Sequence, residues 1–117
     1  MSERNSPNSA PRESGSGFRH HVFFWLKEPG NEQHRRQFLK ELREMIKIPE
    51  IQEYAIGAPA GTPRDVVDNT WTFDWHVTFQ DRAAWAVYND HPVHQAFVEK
   101  AGSLWERAQV YDSIPAE

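Results

Sequence analysis

Tyr88, His91 and His94 fall within the stretch Tyr88-Asn-Asp-His-Pro-Val-His94, and a histidine doublet, His20-His21, stands near the start of the first apolar segment. These types suit one chemistry. A neutral imidazole with an ordinary pKa of about 6.5 can remove a proton next to a carbonyl, and a positioned phenol can donate to the enolate or alkoxide that develops. The chain has no cysteine, which excludes a thiolate nucleophile, a zinc-thiolate site and a disulfide framework. His91 and His94 could be grouped with Asp74 and His76 as metal ligands, but no HExxH or comparable spacing supports a metal, and none is expected. A structural account stands beside the chemical one. Asp90 before His91-Pro92 reads as a helix N-cap, and His94, with Phe97 and Val98 at helical spacing, faces the apolar side as a packed core histidine would. The residues alone leave both accounts open.

The elements that must hold these groups can be read in order. Phe18–Lys27 alternates as a strand, with Phe18, His20, Val22, Phe24 and Leu26 on one face and Arg19, His21, Phe23, Trp25 and Lys27 on the other. The doublet therefore points one ring to each side and is no chelating pair. Both faces carry large apolar groups, and a chain this short supplies helix for only one of them, so the other is expected to meet a second copy. A helix capped by Asn31 is predicted over Glu32–Ile48, from the stripe Phe38, Leu42 and Met45, ending at Pro49. Glu50–Gly57 reads as a strand and Ala58–Asn69 as a long connection, a lid, a partner-binding arm or a simple mobile loop. Trp71, Phe73, Trp75, Val77 and Phe79 share one face of a third strand. Asp81 caps a short helix to Tyr88, the His91-Pro92 segment opens a second running to about Trp105, and Gln109–Ile114 forms a last strand. The order is β-α-β-β-α-β with the second helix split. It implies an α+β, ferredoxin-like fold: a four-stranded antiparallel sheet with helices on one face.

Composition bounds the rest. Residues 1–17 have no large apolar side chain after Met1 and read as a disordered leader, followed by one domain over 18–114 and a tail at 115–117. No apolar run approaches a membrane span or a signal-peptide core, so a cytoplasmic location is expected. A net charge of −4, with basic residues interleaved among acids on the first helix, argues against nucleic acid. Five Trp, seven Phe and three Tyr are more than so small a domain can hide, which points to a pocket or a partner subunit.

The segments HHVFFWLK, TFDWHVTFQDRAAW and YNDHPVHQAF, with a terminal strand ending VYD, resemble the stress-responsive dimeric α/β-barrel (Dabb) family over Phe18 to about Asp112. The resemblance implies two ferredoxin-like subunits closing a barrel across a two-fold axis. The family includes stress-associated proteins and the plant olivetolic acid cyclase, a polyketide cyclase that closes its substrate by aldol condensation without a cofactor. That likeness implies His94 as base, Tyr88 as donor and His20 as an orienting group. A third-strand histidine of the cyclase falls on Phe73, so the same substrate is not implied. Three functions follow as expectations: a cofactor-free cyclase- or lyase-like enzyme acting on a polyketide-like or aromatic metabolite, a module binding a small apolar metabolite in a pocket lined by Phe24, Trp71, Phe73, Trp85 and Phe97, or a stress-associated structural homodimer. A cofactor-independent monooxygenase is a further enzyme alternative that no residue selects.

Overall fold

The computed structural model describes residues 10–117. Its elements are β1 (Phe18–Leu26), α1 (Glu32–Glu44), β2 (Glu53–Gly57), β3 (Phe73–Phe79), α2 (Arg82–Asp90), α3 (Pro92–Ala101) and β4 (Trp105–Ser113), with single 3₁₀ turns after α1 and α3. The strands form one antiparallel sheet in the order β2-β3-β1-β4, and the helices lie on one face. This is the ferredoxin-like arrangement that the element order implies. Of the expected leader, residues 1–9 lie outside the described residues, residues 10–15 are exposed without helix or strand, and Ser16 is buried.

Alternation on β1 and β3 sets the core. Phe18, Val22, Phe24, Leu26, Phe73, Trp75, Val77 and Phe79 are buried beneath the helices. α1 answers with Phe38 and Leu42, both fully buried, and its N-terminus is closed by Asn31 Oδ1 accepting from the His34 amide. Phe38 is the aromatic hub. It stacks on Phe73 at 5.6 Å and meets Phe24, Phe97 and Trp105 edge-on at 4.9, 5.8 and 6.0 Å.

β2 starts at Glu53 rather than Glu50, and α1 gives way to a 3₁₀ turn after Glu44; three further differences from expectation bear on the site. β4 begins at Trp105 rather than Gln109, so Trp105 belongs to the sheet and not to the helix. It pairs with Leu26, while Trp25 pairs with Arg107, a register shift that leaves Glu106 as the extra residue of a bulge and aims Trp105 inward onto Phe97. Trp71 does not continue the inner face of β3. Thr72 breaks the alternation, its amide bonded to the Phe24 carbonyl and its buried hydroxyl accepting from the Leu26 amide. Trp71 thereby turns to the outer face, against Phe23 at 5.0 Å. Asp90 is not the cap of α3. It ends α2, and His91 takes the capping role, because the residue before Pro92 is held extended (φ −66°, ψ 139°) and its Nδ1 accepts from the Val93 amide.

Gly17 sits where the chain enters β1. A Cβ there would collide with the backbone carbonyl of Gln80, which neither strand can easily move. Gly17→Ala is expected to cost about 1–3 kcal/mol, read as a lower thermal midpoint; an unchanged midpoint would refute the close approach.

Candidate active site

The inner face of β1 delivers His20, 8% exposed, under the helix layer. β4 places Asp112 directly across from it, and Asp112 Oδ1 lies 2.5 Å from His20 Nδ1. A carboxylate can only accept, so Nδ1 carries the hydrogen and Nε2 is the nitrogen left to face the groove. A base oriented by a carboxylate in this way is a recurrent catalytic arrangement.

α2 contributes Tyr88, 1% exposed, whose hydroxyl oxygen accepts the indole N–H of Trp75 at 2.9 Å. That bond occupies a lone pair and leaves the phenolic proton free to be donated. Burial pushes the Tyr88 phenol well above its ordinary range, although the Trp75 bond pulls the other way, so the group remains a donor at any physiological pH.

The break between α2 and α3 brings His94 back over Tyr88. One residue, His91, joins the helices, and its amide bonds to the Tyr88 carbonyl at 3.1 Å. The Tyr88 ring then lies 5.0 Å from the His94 ring and 5.7 Å from that of His20, both edge-on. Burial lowers the half-buried His94 imidazole below its ordinary value, with His20 adding to the effect and Asp90 opposing it. His94 is therefore neutral near pH 7, the state a base needs.

These groups form the polar end of a groove of about 220 Å³ whose other end is aromatic, with Phe24, Phe97 and Trp105 as walls. No lysine or arginine lines it. Its mouth opens at the β4 edge, where Val98 and Val110 are 46% and 42% exposed.

Of the residues expected to line a pocket, Phe24 and Phe97 do so here. Phe73 is sealed in the core against Phe38. Trp85 stacks on Phe18 at 5.4 Å and, with Asp112, borders a separate hollow of about 160 Å³. Trp71 is on the opposite side of the sheet, in an outer hollow of about 270 Å³ with Phe23, Trp25, Arg107 and Tyr111. His76 and Asp74 are also on that outer face, with the sheet between them and His94. Sequence reasoning missed Asp112, Trp75 as the partner of Tyr88, and Trp105. Asp112 carried a signal, since it alternates with Val110 near the end of the last strand.

The sequence pattern of the stress responsive A/B barrel domain, Dabb, matches residues 18–115. The chain belongs to that family. No curated protein matches this Dabb domain in sequence. Among solved structures it is similar to a Dabb protein of Mesorhizobium loti with a ferredoxin-like fold, at 27% identity and TM-score 0.73 over 87% of this chain and 99% of the other. It also shares its fold with the hydroxynitrile lyase of Passiflora edulis, at 21% identity and TM-score 0.74 over 89% and 97% of the two chains. A dimeric ferredoxin-like protein of unknown function from Thermobifida fusca matches at 21% identity and TM-score 0.70, over 90% and 96%. No helix among the described residues is long and apolar enough to cross a membrane.

Proposed function

We propose that this Dabb domain is a cytoplasmic, homodimeric enzyme that makes or breaks a carbon–carbon bond at a neutral carbonyl or hydroxyl carbon with its own side chains, in the manner of an aldol-type polyketide cyclase or a hydroxynitrile lyase. The observation that carries it is the meeting of Tyr88, a neutral His94 and the His20–Asp112 pair at one end of an apolar groove. The groove favours a neutral substrate, because its lining offers no cation to hold a carboxylate.

In the cyclising direction His94 takes the proton from the carbon next to a carbonyl, and Tyr88 donates a hydrogen bond to the enolate oxygen. The new bond leaves an alkoxide that recovers the proton from His94. In the cleaving direction His94 takes the hydroxyl proton of a cyanohydrin, the aldehyde forms as the carbon–carbon bond breaks, and cyanide leaves with that same proton returned by His94, while His20 is held in place by Asp112. Each step moves one proton between named groups and needs no redox partner.

Pairing through the open sheet face is supported by the aromatic residues Phe23, Trp25, Trp71 and Tyr111 on that side and by the dimeric state given for related folds. The test is to incubate the full chain with aromatic hydroxynitriles and with linear poly-β-keto thioesters, following aldehyde release and cyclised product. Tyr88→Phe is expected to slow the accepted class by about 10²-fold or more. Equal rates in the two proteins would refute the role of Tyr88, and binding of both classes without turnover would leave a ligand-binding module.

A further inference from the structure

We infer that His76 makes the pairing of two copies through the open sheet face proton-linked, so that the dimer weakens as the pH falls below neutrality. This rests on the sheet-face dimer proposed above and adds a control on it.

His76 on β3 stands directly across from His21 on β1, the ring centroids 4.8 Å apart. The two rings are not equivalent. His21 Nε2 is 2.7 Å from Asp74 Oδ2, which gives that imidazole an acid partner. Asp74 can approach the sheet because Gly57 lies beside it on β2, where a Cβ would collide with its Oδ1. His76 makes no side-chain hydrogen bond among the described residues, and its neighbour across β2 is Ala55. The other charged or titratable groups on this face are Arg19 on β1, Glu53 on β2, Asp68 in the connection before β3, and Arg107 and Tyr111 on β4; the helix layer is on the far side of the sheet.

A protonated His76 is thus solvated by water in the single protomer. A second copy laid on the face removes that water, and within its own chain His76 has no hydrogen-bonded acid partner to replace it, Asp74 being held by His21. Partial burial already holds His76 below its ordinary value, with His21 and Arg19 adding and Asp74 and Glu53 opposing. Complete burial extends the same effect, since desolvation disfavours the charged imidazole. The sign follows: the dimer holds fewer protons on His76 than two monomers do. Association is therefore strongest above the monomer's His76 pKa and is lost as the pH drops through and below it.

Two copies of His76 per dimer set the limiting steepness at two protons, or about 100-fold in Kd per pH unit. Sedimentation of a dilution series of the full chain at about pH 7.5 and about pH 5.5 reads the effect, with circular dichroism at each pH to keep unfolding apart. The wild type is expected to weaken by about tenfold or more, His76→Gln to lose most of that response, and His34→Gln, altered on α1, to keep it. An unchanged Kd in the wild type, or an equal response in His76→Gln, overturns the linkage while leaving the dimer standing. A monomer at the higher pH overturns the dimer and the linkage together.

Discussion

Replacing His94 by glutamine is expected to lower turnover by about 10²–10⁴-fold while the protein keeps its fold. The substitution preserves volume and hydrogen bonding but removes the only neutral imidazole in the groove that is free of a protein partner. His20, held by Asp112, keeps its orienting place in the variant. The same assignment shapes the pH profile. A base must be deprotonated, and burial holds His94 below its ordinary value, so kcat/KM should rise to a plateau with an acid limb below about pH 6.5. The variant should lose that limb together with the rate. Stability follows the same sign: burial opposes protonation of His94, so its contribution is complete above pH 6.5 and declines as the pH falls toward the lowered native value. Turnover by His94→Gln at the wild-type rate, or a wild-type acid limb well above pH 7, would remove His94 as the base.

Phe38→Ala should be the most damaging single change to the fold. The ring is fully buried and touches four other aromatics drawn from β1, β3, α3 and the start of β4. Its loss is expected to cost about 3–5 kcal/mol, a large part of the 5–15 kcal/mol typical of a small domain. Such a loss lowers the thermal midpoint by well over 10 °C for a domain near 100 residues. Thermal unfolding followed by circular dichroism measures it. A drop of only a few degrees would mean that Phe24, Phe73 and Phe97 close the gap, and that the hub is redundant.

The legible parts of this chain were those governed by strict alternation. β1 and most of β3 have side chains that can face only one way once the apolar residues are inside, and His20 was placed by that rule alone. The meeting of Tyr88 with His94 was less accessible, because it depends on the angle between two helices joined at His91, which no spacing encodes. Trp71 was misplaced for a related reason. Alternation holds only while the ladder does, and the hydroxyl of Thr72 replaces a strand contact with one of its own. Trp105 is hidden from the pattern because the expected strand starts four residues late, whereas Asp112 lies within that strand and needs the register that sets it across from His20. A single bulged residue, Glu106, separates the helical ending that the pattern suggested from the strand that forms.

Tyr88, His94, His20 and Asp112 all belong to one chain and lie on the side of the sheet away from the face where a second copy would pack. Two such subunits joined back to back would behave as two separate reactors. Saturation should then be hyperbolic, with a Hill coefficient near one, and a mixed pair carrying a single His94→Gln subunit should retain half the rate of the intact pair. Subunit partnership would govern how long the catalyst lasts and where it assembles, and each active centre would be left to evolve its own substrate.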